Sequence, residues 1–261
     1  MNKALSPLDL AALKQAKNNI EDIGWAMKGL NKVGNIIESR LALLPQKQQQ
    51  WLQQLSYKVL HSVVKGNLMT MKQQKNQSAP LNKTYKALVT SSGLLGGAMG
   101  VSAFAVDLGI ATKFMMRSIM DIARSEGEDL STLDSQLACL QVFALGGKSK
   151  HDNSLETGYY ASRIAANTAV SGGVKTIDGL LKGSANPVLQ FIATVASRFS
   201  IQVSEKFVAQ AVPIIGAVGG ASINLAFIHH FQTMAKAHFA IRRLERIYGE
   251  ATIKEQYEKL S

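Results

Sequence analysis

Two stretches of this chain carry no formal charge and are striped with glycine, and they constrain its fold more than any other feature. Residues 88–106 read LVTSSGLLGGAMGVSAFAV, and residues 207–228 read FVAQAVPIIGAVGGASINLAFI. In the first, Gly93 and Gly97 lie four apart, as do Gly96 and Gly100; in the second, Gly216, Gly220 and Asn224 repeat the interval. Four-residue spacing lines small residues along one side of an α-helix. Such a stripe lets a second helix approach at backbone distance, and an asparagine at its end can hydrogen-bond across the contact. Each glycine costs a helix roughly 1 kcal/mol relative to alanine, so close packing is the compensation the pattern implies. Both segments are expected as central helices packed on each other, with these six glycines at the seam and Pro213 kinking or starting the second.

Two other architectures use glycine runs. A phosphate loop needs a strand, glycines whose N–H groups cup the anion, and a Lys followed by Ser or Thr. PIIGAVGGASIN has no lysine, and SGGVKT at 171–176 has Val174 where the glycine belongs. A membrane span needs about 20 apolar residues. Residues 207–228 are long enough, but Gln210, Ser222 and Asn224 interrupt them, and the first segment carries several Ser and Thr. A buried helix hairpin in a globular bundle satisfies the same pattern. An apolar share of 46% with only five prolines and no Asn-Gly hairpin signal points to an all-α, multi-helix globular bundle with two central apolar Gly-rich helices.

Charge divides the chain. Residues 1–92 hold thirteen Lys or Arg against four acidic residues, so most of the net +11 is N-terminal. This suggests a basic helical region over 1–80 and a helical core over 81–261, packed together as one domain. Ser6 followed by Pro7 and Asp9 announces the first helix, with Leu10, Leu13, Lys17 and Ile20 at helical spacing. Ser131 and Asp134 read as a capping start for a later one. In residues 48–71, Leu52, Leu55, Val59 and Val63 share one side, while Lys58, His61, Lys65 and Lys72 recur on another. A basic amphipathic helix with Trp51 near its start suits an anionic membrane surface; it equally suits a helix that buries its apolar side and leaves its lysines in water.

The C-terminal third, SRFSIQVSEKFVAQAVPIIGAVGGASINLAFIHHFQTMAKAHFAIRRLERIYG at 197–249, resembles the signature of the EcsC family. GLLGGAMGVSAFAVDLGIATKFMMRSIMDIARSEGED and the following QLACLQVFALGG resemble that family's other block. One departure is visible: Ala105-Val106 precede Asp107-Leu108 where the family often has a proline. Residues 1–80 match only loosely. The resemblance implies a helical fold, a bacterial source and a gene neighbourhood with an ABC exporter; it implies no particular activity. The positions matching its pattern include Asp107, Glu205, Asn224, His230 and Arg243.

On a helix, Phe227, His230, Met234, Ala237, Ile241, Leu244 and Tyr248 form one seam, and Asn224, Ile228, Phe231, Ala235, His238 and Arg242 the next. That placement makes His230 a core histidine or a ligand. Arg242, Arg243 and Arg246 with Glu245 are a charged flank or a small anion site at the helix's negative end. An enzyme would draw His229, His230, His238, Glu205 and Asp107 into a metal or acid–base cluster. No zinc-ligand spacing is present, and His230 and His238 lie about 12 Å apart along a helix axis. Cys139, the single cysteine, lies in an apolar context and fits a small buried residue in a reducing compartment. No cofactor, no metal and no specific nucleic acid are expected. The leading expectation is a non-enzymatic cytoplasmic protein, peripheral on an anionic membrane or a membrane complex. The alternative is a metal-dependent hydrolase.

Overall fold

The computed structural model describes residues 4–21, 39–68, 79–96, 100–145, 187–211 and 219–260. Among these there are eight α-helices, one 3-10 turn and no strand. They are α1 (Pro7–Glu21), α2 (Gln46–Leu68), α3 (Asn82–Gly96), α4 (Gly100–Ser125), α5 (Leu133–Gln141), α6 (Pro187–Ala211), α7 (Gly220–Tyr248) and α8 (Glu250–Lys259). The 3-10 turn, Val142–Ala144, follows α5 directly.

α7 is the axle of the bundle. It packs against α1, α3, α4, α6 and α8 and against the 3-10 turn. Its sequence explains why. Phe227, His230, Met234, Ala237, Ile241 and Leu244 are buried, and so are Asn224, Ile228, Phe231, Ala235 and His238 on the neighbouring stripe. A helix apolar over two stripes has to be enclosed. Phe227 and Phe231 meet Phe199 of α6 and Phe143 of the 3-10 turn in one aromatic cluster, with centroids 5.1–6.2 Å apart. Each fully buried Phe stabilises the fold by roughly 1.5–3 kcal/mol through area alone, so this cluster is a main anchor of the core.

The N-terminal part is built into the same body. α2 buries Leu52, Val59, Leu60 and Val63 and packs on α4 and α6. Trp51 stands against Phe104 and Phe207, at centroid distances of 6.2 and 5.9 Å. The apolar side of this helix is therefore consumed by the core, and it does not lie on a membrane by that side. α1 is capped as its sequence predicts: Ser6 Oγ accepts the Asp9 N–H at 3.1 Å. Lys17 sits inside the seam of α1 because it caps another helix. Its ammonium donates to the carbonyls of Tyr257 and Leu260 at 3.0 and 2.6 Å, satisfying the negative end of α8.

Within residues 88–106, α3 ends at Gly96 and α4 begins at Gly100. Likewise α6 ends at Ala211 and α7 begins at Gly220, whose predecessor Gly219 has φ +88°. An L-side chain rarely adopts that conformation, so glycine there marks a break in the chain direction. Gly93 lies in the last turn of α3. Gly97, Pro213 and Gly216 lie outside the described residues. The two segments nevertheless meet, because α3 packs closely along α7. Asn224 bridges them, its Nδ2 donating to the Val89 carbonyl at 2.9 Å. No helix among the described residues is long and apolar enough to cross a membrane.

The start of α5 is capped one residue later than the sequence suggests. Thr132 Oγ1 accepts the Ser135 N–H at 3.3 Å. Ser131 instead donates its hydroxyl to Asp129 at 2.7 Å. Both residue types cap well, and only backbone geometry chooses between them.

Candidate functional site

Three groups of charged and polar side chains could carry function, and their partners separate them. The first lies at the centre. Asp107 on α4 and Lys206 on α6 form a salt bridge of 2.6 Å with side chains 2% and 0% exposed. Asn224 Nδ2 donates to the other carboxylate oxygen at 2.8 Å, and the Lys206 ammonium lies over the rings of Phe227 and Phe104. Burial lowers the Lys206 pKa, and the Asp107 charge opposes that shift. Both oxygens of Asp107 are thus spent on tying α4, α6 and α7 together. Glu205, the neighbour of Lys206, has a carboxyl oxygen that is buried with no hydrogen-bond partner. Burial pushes its pKa up to about 7.

The histidines do not assemble into a site. His230 is buried, hydrogen-bonded to the Leu145 backbone, and pushed down to about 4 chiefly by burial. It is a neutral core histidine, packed edge-on against Phe231 at 5.0 Å. His238 is fully buried beside Phe239. His229 points the other way and is exposed. Among the described residues, no three His, Cys, Asp or Glu side chains are grouped so as to hold a metal ion. The cluster of His229, His230, His238, Glu205 and Asp107 that an enzyme would need is therefore not assembled, because successive residues on one helix face different sides. Cys139 is buried, and burial raises its thiol pKa.

The second group closes the C-terminal end of α7. Arg242 donates to both oxygens of Glu128, at 2.9 and 3.0 Å, and to Asp134 at 2.5 Å. Arg246 also reaches Glu128 and the Glu126 carbonyl. Arg243 pairs with Glu126 at 2.9 Å and lies 3.8 Å from Asp9. Ser135 adds a hydroxyl to Glu128 at 2.6 Å. Burial alone would raise the Glu128 pKa; the hydrogen bonds from Arg242 and Ser135 and the nearby charges outweigh it and hold it below the usual value. The anion that the three arginines could have taken from solution is supplied by the chain's own SEGED turn.

The third group is a cleft between the start of α3 and the middle of α7, with a volume of ≈ 520 Å³. Among the described residues it is lined by Leu81, Lys83, Lys86, His229, Gln232 and Lys236, with small neighbours and no carboxylate. Lys86 Nζ lies 3.0 Å from His229 Nδ1. Burial and then the Lys236 charge lower the Lys86 pKa. Burial and then Lys86 and Lys236 lower that of His229. The floor is fixed by Gln232, whose Nε2 donates to Ser118 at 2.9 Å and to the Asn82 carbonyl at 3.1 Å. None of the lysines stood out in the sequence. Lys86 and His229 are 143 residues apart, and only the α3–α7 contact brings them together.

Of the basic residues singled out over 48–72, Lys58 and His61 have described side chains. Lys58 is exposed, and the His61 ring stacks on Tyr57 at 6.0 Å. Lys65 lies further along α2, and Lys72 lies outside the described residues.

Among curated proteins and among solved structures, none matches this chain. A protein-family model does, over residues 9–244, and it is described as the EcsC protein family. That span takes in α1 and α2, which the sequence blocks alone left outside the resemblance, and stops within the arginine-rich end of α7. The chain belongs to the EcsC protein family.

Proposed function

We propose that this protein is a non-enzymatic helical module that docks peripherally on an anionic membrane surface, using the side where α3 and α7 form the lysine cleft. The observation that carries the reading is the company these lysines keep. Lys83, Lys86 and Lys236 line a cleft to which the described residues bring no carboxylate, and exposed leucines lie in it or one helical turn from its lining residues. Leu81 lines the cleft and is 58% exposed. Leu88 stands one helical turn beyond Thr84, and Leu225 one turn before His229; both are exposed as well. Cations beside protruding aliphatic side chains match the two layers of a bilayer surface, anionic headgroups over hydrocarbon. A binding role also accounts for the acidic side chains. Asp107 and Glu128 are saturated by internal donors, which leaves them tying helices together.

Flotation of the full chain with vesicles tests this. Recovery is expected with phosphatidylcholine vesicles containing phosphatidylserine and not with phosphatidylcholine alone, and it falls as salt screens the contact. The double substitution K86E/K236E abolishes recovery, whereas Lys58→Glu on α2 leaves it intact. Equal recovery on neutral and anionic vesicles would remove the electrostatic basis, and loss with Lys58→Glu alone would move the contact to α2.

A further inference from the structure

The cleft is more than a basic patch. Its lysines come from two different helices and converge on one volume of ≈ 520 Å³, within the range of roughly 300–1,000 Å³ usual for small-molecule sites. We infer that it binds a phosphate monoester, borne either on a lipid headgroup or on a small soluble molecule. The inference rests on the cleft of the membrane reading and names the chemical group it holds.

Four features select that group. First, Lys83, Lys86 and Lys236 supply three ammonium groups with no carboxylate among the lining residues. A monoester, with nearly two negative charges and three terminal oxygens, can engage several of them at once. A diester has one charge and two free oxygens. Second, the Lys86 ammonium has only donors, so its contact with His229 Nδ1 at 3.0 Å makes that nitrogen an acceptor. The neutral ring then carries its proton on Nε2, and a bound dianion that draws the Lys86 ammonium to itself frees Nδ1 to take a second proton. Third, α3 begins at Asn82, on the wall of the cleft. The 15-residue helix therefore presents first-turn N–H groups there, and its positive end adds to the lysines. Fourth, the floor is rigid and polar: Ser118 donates to Asn82 Oδ1 at 3.2 Å while Gln232 holds both residues. The volume leaves room beside the phosphate for whatever bears it.

The test follows the imidazole signals of the full chain by NMR while inorganic phosphate is added, with His229→Gln used to assign the resonance. The expected result is a saturable shift of the His229 signals and a rise in the ring's titration midpoint. Lys86→Gln and Lys236→Gln, both at the surface, each weaken the response about tenfold, the usual scale for one charge-assisted contact. A linear response unchanged in both variants overturns the inference. Flotation then separates the sources. Preference for phosphatidic acid over phosphatidylserine at equal surface charge, competed by inorganic phosphate, supports a lipid headgroup. Saturable phosphate binding without flotation on either lipid supports a soluble monoester, and the membrane reading falls while the cleft stands. Undiminished flotation on phosphatidylserine with no saturable phosphate response does the reverse.

Discussion

Positive charge collects at two places along α7, and the two have opposite fates. At its C-terminal end, Arg242, Arg243 and Arg246 meet Glu126, Glu128, Asp134 and Asp9. Two to four turns earlier on the helix, His229 and Lys236 face Lys86 and Lys83 across a cleft lined by no acid among the described residues. In the sequence the first reads as a charged flank or a small anion site, because RRLER concentrates three arginines on one turn and a half. The folded chain makes it a flank, occupied by the chain's own acids. A cation cluster is available to a ligand only where the fold has not already brought a carboxylate to it. Residue type agrees with this division. Arginine's planar fork suits a fixed bidentate partner such as Glu128, while lysine is a movable point charge suited to an exchangeable one.

The sharpest way to break the comparison is at Glu128. Its side chain is 3% exposed and is the shared acceptor of Arg242, Arg246 and Ser135. Removing one partner of such a buried network leaves uncompensated charge. Glu128→Gln is therefore expected to cost about 3 kcal/mol, near the lower end for breaking buried pairs. The network also has a pH signature. The folded pKa of Glu128 lies below its ordinary value, so its stabilisation is full above the unfolded pKa and is lost as pH falls through the folded one. Urea unfolding across acid pH should show a steeper loss for the wild type than for Glu128→Gln. Parallel curves would mean that Glu128 is not the centre of this end of the molecule.

What the sequence disclosed follows the range of the interactions. The Ser6 cap of α1, the apolar side of α2 and the two buried stripes of α7 are local patterns, repeated every three or four residues, and were legible. The positive φ of Gly219 at the start of α7 was not, since an uncharged glycine-rich run satisfies a continuous helix and an interrupted one equally well. Lys17 stood in an apolar series without visible reason, because the carbonyls it caps belong to residues 257 and 260. Asp107 and Asn224 matched the family pattern, but that Asp107 accepts from both Lys206 and Asn224 became evident only when α4, α6 and α7 met. The cleft was hidden most completely. Lys83, Lys86, His229 and Lys236 have no mutual spacing in the chain, and only the contact between α3 and α7 creates it.

Glu205 offers a smaller effect of opposite sign, because it inverts the situation in the cleft: a buried anion with an oxygen that finds no donor. Burial raises its pKa from 4.5 to about 7. The folded state then holds the proton more tightly than the unfolded one between those values, and stability declines as pH rises through that window. Glu205→Gln removes the charge that burial disfavours. The variant should match the wild type near pH 4 and exceed it by roughly 2 kcal/mol above pH 7, less than the roughly 3.5 kcal/mol that the full rise corresponds to at about 1.4 kcal/mol per tenfold in proton affinity, because the side chain is only partly buried. Thermal unfolding at pH 4, 6 and 8 checks this. A stabilisation that is the same at all three would show that ionisation of Glu205 plays no part.

The smallest effect is expected in the cleft itself, and its sign is informative. Burial and then the Lys236 charge lower the Lys86 pKa, and burial and then both lysines lower that of His229. Like charges at a partly exposed site cost the fold about a few tenths of a kcal/mol. Lys86→Gln or Lys236→Gln should therefore leave stability unchanged or raise it by that much in low salt, with the gain disappearing as salt is added. A structural lysine behaves otherwise, since replacing it removes a partner and lowers stability, as at Glu128. Repulsion retained at no benefit to the fold is what a site for an exchangeable anion requires. If either substitution instead lowered the unfolding midpoint in low salt, the cleft would belong with the arginine end of α7, as one more internally satisfied contact.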